Sequence, residues 1–236
     1  KKILIIITGS IASYKALYLI RKLKEKNFFI NVIMTKSAKK FITPLSVSSL
    51  AENKVCENLF DLTEETEMGH IRLANMHDLI IVMPASANFI AKVSNGYADD
   101  LATAVLLASK TKVVFAPAMN INMFTNKITQ KNIKYLQSLG YEMLFGPEGK
   151  LACGDYGLGR MSEPEDIVDY ADLLLRKTLP LKGIEALVTA GPTQEPIDPV
   201  RFISNKSSGI QGYLIAEELS KNGAKVCLIS GPTSLE

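Results

Sequence analysis

The sequence predicts an α/β protein in two successive units. Short β-rich or apolar runs alternate with helical patterns, the runs are continuously apolar, and the same alternation restarts after a connector near residue 180. In order, the strand-length runs are Ile3 to Thr8, Ile30 to Thr35, Leu79 to Met83, Val113 to Ala116 and Glu142 to Phe145. Unbroken apolar runs fit a parallel sheet covered on both faces, whereas a half-solvated sheet would alternate. Between the first two runs, Ala12, Ala16, Leu19, Ile20 and Leu23 recur at helical spacing. Lys15, Arg21, Lys22 and Lys26 fall mostly elsewhere on that helix, as a solvated face would.

A helix over 163–177 closes the first unit, which is read as residues 1–178, and 179–185 is a linker. The second unit, 186–236, offers a strand over 186–190, a helix over 209–222 and a strand over 225–230. Two strands do not close a core, so this unit is read as the N-terminal part of a second α/β domain. The 236 residues exceed one domain of ~150 and fall short of two.

At 47% hydrophobic and 22% charged, the composition is that of a chain with a large core and excludes disorder. The apolar runs are far shorter than the ~20 residues of a membrane helix. The five residues before Thr8 are too few for a secretory core. The expectation is a cytoplasmic protein with no membrane partner. A net charge of +3 is too balanced for a nucleic-acid groove. Three cysteines without a CxxC pair imply neither a disulfide framework nor a structural metal.

Ligands of such sheets bind where the strands end at the carboxyl edge. The first strand is followed by Gly9-Ser10-Ile11-Ala12, a glycine and a hydroxyl at a helix start. That turn either receives a phosphate or is an ordinary serine-capped turn. Lacking GxGxxG, it fits a monophosphate better than a dinucleotide. Thr35-Lys36-Ser37 and Pro84-Ala85-Ser86-Ala87-Asn88 add small and hydroxyl residues at two more strand ends. Taken together, the three turns fit a flat or phosphorylated ligand. The Met-rich stretch Pro117-Ala118-Met119-Asn120-Ile121-Asn122-Met123 is either core or a site in which Asn120, at a strand end, hydrogen-bonds a carboxylate. His70 is a surface or capping residue or an acid–base group. The segment 146–160, holding five of fifteen glycines, reads as a long connection without regular structure, either disordered or a lid. Its Cys153 carries a thiol whose reference pKa of ~8.5 suits proton delivery, while a nucleophilic role needs help from Arg160.

These motifs, with Gly69-His70-Ile71 and Ala152-Cys153-Gly154-Asp155 through Gly159-Arg160-Met161, resemble the homo-oligomeric flavin-containing cysteine decarboxylases. The match spans essentially residues 1 to 178 and implies a Rossmann/flavodoxin-like fold. Thr189 to Asp198 and Ser204 to Gly209 resemble the start of the ligase domain in the family's bifunctional bacterial branch, phosphopantothenoylcysteine decarboxylase joined to phosphopantothenate–cysteine ligase. The resemblance implies FMN at Gly9, Ser10, Ile11, Thr35, Ser37, Ser86, Ala87, Asn88 and Ala118. It implies 4′-phospho-N-pantothenoylcysteine as substrate, bound by Asn120, Met123, Ala152 and Arg160, with His70 as base and Cys153 as proton donor on a substrate-clamping flap. It further implies self-association as trimers building a dodecamer, and CTP with Mg2+ for the ligase portion. Phe89 stands where many relatives have Thr, and Phe124 where Trp or Tyr is common. The alternatives are a peptidyl-cysteine decarboxylase, a non-catalytic flavin-binding regulatory subunit and a flavodoxin-like electron carrier.

Overall fold

The structure is a computed structural model describing residues 1–57, 69–151, 154–175 and 179–235, without the side chains of Gly69 and His70. The chain divides into two compact units, Lys1–Leu175 and Arg176–Glu236.

In the first unit, β1 (Lys2–Ile7) leads through a short 3-10 turn into α1 (Tyr14–Glu25) and β2 (Phe29–Met34). Next come α2 (Pro44–Ala51), β3 (Val55–Cys56), α3 (Gly69–Asn75), β4 (Leu79–Ala85), α4 (Ala87–Ser94), α5 (Leu101–Ala108) and β5 (Val113–Pro117). The unit is completed by α6 (Ile121–Thr125), α7 (Lys127–Ser138), β6 (Glu142–Met143), β7 (Gly149–Lys150), β8 (Tyr156–Gly157) and α8 (Pro164–Leu175). Six parallel strands form one sheet in the order β3-β2-β1-β4-β5-β6. The order reverses between β1 and β4, the switch point where such sheets open a crevice.

Successive side chains of a strand point to opposite faces, and β1 uses both. Ile3, Ile5 and Ile7 pack with Leu19, Ile20 and Leu23 of α1, Val47 of α2 and Ile167, Val168 and Ala171 of α8. Leu4 and Ile6 pack on the other face with Leu73 of α3, Ile90 of α4, Val105 and Leu106 of α5 and Leu136 of α7. Ile3 through Ile7 are all fully buried, which is why the run reads as unbroken apolar sequence. Among the described residues, no helix is long and apolar enough to cross a membrane.

Two departures from the sequence reading concern short elements. The two-residue strand β3 was not anticipated. The segment 146–160 was expected to lack regular structure, and it instead contains the antiparallel pair β7 and β8, with Gly149 opposite Gly157 and Lys150 opposite Tyr156. The pair is possible because the chain turns back on itself and is fastened to the rest of the unit by the Met119 N–H, which donates to the Gly159 carbonyl at 3.1 Å. Gly159 has φ +106°, and a Cβ there would stand 2.5 Å from the Met119 oxygen, so the approach requires glycine.

The second unit holds β9 (Glu185–Ala190), β10 (Gln194–Pro196), β11 (Phe202–Ser204), α9 (Ile210–Lys221) and β12 (Lys225–Ser230). β9 and β12 pair in parallel with α9 as the crossover, and β10 and β11 form an antiparallel hairpin that the sequence reading did not include.

At the opposite edge of the first sheet from the ligand-binding turns, His77 is 5% exposed. Its Nδ1 lies 2.8 Å from the Leu73 carbonyl and its Nε2 lies 2.9 Å from the Asn31 amide. Both partners are oxygens, the Leu73 carbonyl and Asn31 Oδ1, and a neutral ring, with one N–H, donates to one of them. Burial holds the imidazole pKa below its ordinary 6.5. The unfolded chain therefore binds this proton first as pH falls, and folding stability drops from around 6.5 downward. Urea unfolding across that pH range is expected to show this slope for the native chain and a flatter one for His77→Asn.

Candidate active site

The site begins with a hydroxyl between two strand ends. Thr8, which follows β1 and is 1% exposed, donates from Oγ1 to the Pro84 carbonyl at 2.6 Å and accepts from the Ser86 N–H at 3.0 Å. These bonds set the turns after β1 and β4 side by side. Ser10 then caps the 3-10 turn, accepting from the Ala12 N–H at 3.3 Å, and Ser86 caps α4 by accepting from the Phe89 N–H at 3.3 Å. A cap leaves such a hydroxyl's own hydrogen available to a ligand.

Two cavities open along this edge. The first, about 550 Å³, is lined by Thr8, Gly9, Thr35, Ser37, Ser86, Asn88 and Phe89, with Lys92, Asp99 and Asp100 also on its wall. Lys92 contacts Asp99 at 2.6 Å and Asp100 at 3.7 Å. The Asp99 contact is the main cause of the raised Lys92 pKa. A Cβ on Gly9 would stand 2.5 Å from the Cβ of Ser37, so glycine is what allows the turns after β1 and β2 to approach this closely.

The second cavity, about 620 Å³, is lined by Ser10, Ile11, Ala118, Asn120, Arg160 and further residues including Lys15 and Lys150. Asn120 is the N-cap of α6: its Oδ1 accepts from the Asn122 N–H at 2.8 Å, and its Nδ2 donates to Asp155 Oδ2 at 3.1 Å. The amide is thus oriented from both ends. Arg160 donates from Nη2 to Glu163 Oε1 at 2.5 Å, and Lys15 donates to Glu163 Oε2 at 2.7 Å. These two contacts, the Lys15 hydrogen bond foremost, hold the Glu163 carboxyl below the usual carboxylate range.

Of the residues expected to hold the cofactor, Gly9, Thr35, Ser37, Ser86 and Asn88 line the first cavity. Ser10, Ile11 and Ala118 line the second, together with Asn120 and Arg160. Ala87 opens α4 and is half-buried, and Met123 lies on α6, half exposed at 50%. His70 is in the first turn of α3, with its side chain outside the description, and Ala152 and Cys153 lie outside the described residues. Sequence reasoning missed Thr8, Lys15, Lys150, Lys92, Asp99 and Asp100. For Lys15 a signal existed: it lies four residues before Leu19, hence on the flank of the buried stripe of α1.

A crevice at the switch point, walled by glycine- and hydroxyl-bearing turns, is where doubly wound α/β sheets bind their ligands. Residues 1–176 match the Flavoprotein family, and the chain belongs to it. Residues 181–236 match the DNA/pantothenate metabolism flavoprotein C-terminal domain. The whole chain is 46% identical over 235 residues to the coenzyme A biosynthesis bifunctional protein CoaBC of Haemophilus influenzae and 44% identical over 238 residues to that of Bacillus subtilis. It spans 59% of the length of each. Among solved structures, it is similar to a PPC decarboxylase mutant complexed with pantothenoylaminoethenethiol, at TM-score 0.65 and 29% identity over 73% of this chain and 96% of that one. The FMN binding protein AtHal3 gives TM-score 0.67 and 29% identity, covering 75% of this chain and 97% of that one. Epidermin biosynthesis protein EpiD from Staphylococcus aureus gives 0.61 and 29%, covering 72% and 99%.

Gly9→Ala is expected to push the turn after β2 off the turn after β1 at about 1–3 kcal/mol. Urea unfolding reads this as a lower midpoint with an unchanged slope.

Proposed function

We propose that the first unit binds FMN in the first cavity and removes CO2 from 4′-phospho-N-pantothenoylcysteine held in the second, giving 4′-phosphopantetheine for coenzyme A synthesis. The observation that carries this reading is one turn, residues 8–12, supplying walls to both a glycine- and hydroxyl-lined cavity and a cavity bearing an oriented amide and cations. A volume near 550 Å³ is that of an ordinary cofactor or ligand pocket, and the donors of its turns suit a ribityl phosphate.

Bound FMN supplies a reversible two-electron acceptor at the thiol-bearing carbon, without which a cysteine carboxylate has no place to leave its electrons. The chain's residues do the rest. Asn120 holds the substrate carboxylate through an amide already aimed by Asn122 and Asp155. His70 accepts the thiol proton, and Cys153 returns a proton to the carbon from which CO2 has departed. One C–C bond breaks and one C–H bond forms at that carbon, with no net change in oxidation level. The enethiol bound to the related PPC decarboxylase mutant supports an enethiol as the species awaiting that proton.

The same proposal has FMN extend past the turn of residues 8–12 to Ser10, Ile11 and Ala118 at the second cavity and to Ala87, and includes substrate contacts from Met123, Ala152 and Arg160 and self-association as trimers and a dodecamer in the cytoplasm. Exposed Ile11, Tyr14 and Tyr18 at the start of α1 support the association. The domain assignment, 1–178 and 186–236 joined by a linker, is supported by the two compact units. For the longer relatives' architecture, the second unit opens a ligase domain using CTP and Mg2+.

With FMN and the phosphorylated substrate, the chain is expected to release CO2 without external reductant; failure to do so overturns the reading. Cys153→Ser is expected to release CO2 but stop at the enethiol, whereas full conversion to 4′-phosphopantetheine would remove Cys153 as the donor. His70→Asn is expected to retain flavin and lose turnover by roughly 100-fold or more.

A further inference from the structure

The second cavity contains more positive charge than a carboxylate-binding amide requires. Lys15, Lys150 and Arg160 all line it, and Asn120 lines it too. Lys15 reaches it from the first turn of α1, with 13% of its side chain exposed, and Arg160 reaches it from the segment that follows β8. Glu163 accepts from both Lys15 and Arg160, and with Asp155 held by Asn120 the three cations remain one charge in excess. The Arg160 guanidinium lies across Gly149, where a Cβ would stand 3.0 Å from Nη1, so β7 sets its position. Two cations fixed on one carboxylate before any ligand arrives form a preorganised receptor for a compact, doubly charged anion. Asn120 on the same cavity wall suits the weaker, singly charged carboxylate.

We infer that Lys15 and Arg160, assisted by Lys150, hold the phosphate monoester of the substrate, with Glu163 as the positioning residue that sets both cations. This rests on the decarboxylase reading and deepens it, because it makes the cavity selective for a phosphorylated small molecule over a peptide ending in cysteine. A peptide terminus has one carboxylate and no second anion to occupy the cluster.

The test measures equilibrium binding of 4′-phosphopantetheine and of pantetheine to the flavin-loaded chain, and CO2 release from N-pantothenoylcysteine with and without its phosphate. The native chain is expected to prefer the phosphorylated partner of each pair by roughly 10- to 100-fold. Lys15→Met combined with Glu163→Gln, which leaves no unpaired carboxylate, is expected to bring that preference close to one. Lys150→Met, at an exposed position, is expected to reduce it by a few fold and guards against a folding defect in the double variant. A native chain indifferent to the phosphate overturns the inference while leaving the decarboxylase reading intact. Equal losses on both partners in the variants also overturn it, since they mark a merely structural ion-pair cluster. Loss of FMN with the phosphate preference retained assigns the cations to the flavin's own phosphate and overturns it as well. Absence of CO2 from either substrate, with the binding preference present, counts against the reaction and leaves the anion site standing.

Discussion

Thr8 stands at the end of one of the two central strands, where its side chain replaces the hydrogen bonds that the sheet no longer provides. Beyond Ile6 the ladder between β1 and β4 opens, and a single hydroxyl donates to the Pro84 carbonyl and accepts from the Ser86 N–H. Ser13 fastens the same turn from the other side, its hydroxyl reaching the carbonyls of Thr8 at 3.0 Å and Ser10 at 2.6 Å. With those groups satisfied internally, the turn leaves the sheet at a fixed angle and separates two cavities. Buried polar groups of this kind are costly when unpaired, so the geometry of the site is maintained by the same forces that maintain the fold.

Below that edge the protein is apolar on both faces of the sheet. The two hydrophobic layers meet different helices, and of the residues assigned to the chemistry they contain Ala118 alone among the described residues, while Phe89 of the second layer also lines the first cavity. Phe89 is 3% exposed and still lines the first cavity. Its ring belongs to the core and to the wall at once, and gives that wall an apolar surface.

Much of this was legible from the residues. Five of the six sheet strands are legible, β1, β4 and β5 because a doubly covered strand is apolar along its length and β2 and β6 from mostly apolar runs, and Gly9, Thr35, Ser37, Ser86 and Asn88 follow from inspecting what comes after the strands. Val55–Cys56 was not legible, since two residues have no pattern and join the sheet only through their pairing with Val32 and Ile33. Gln194–Pro196 and Phe202–Ser204 were hidden for another reason: all six residues are exposed, and no periodicity of burial marks them. For Lys15 the helical spacing marks a flank of the buried stripe of α1, and that the flank faces a cavity comes only from the structure. Ser10 and Ile11 share their turn with Gly9, and which residues of that turn face which cavity is set by the three-dimensional path of the chain and not by its order.

Glu163 immediately precedes α8, and its carboxylate is the point at which the start of that helix meets α1 and the segment after β8. Replacing Lys15 or Arg160 therefore loosens the fastening of a helix whose Ile167, Val168 and Ala171 belong to the core. The charge on the wall of the second cavity and the anchoring of α8 are set by the same side chains. A change in that charge calls for a compensating change at the head of α8.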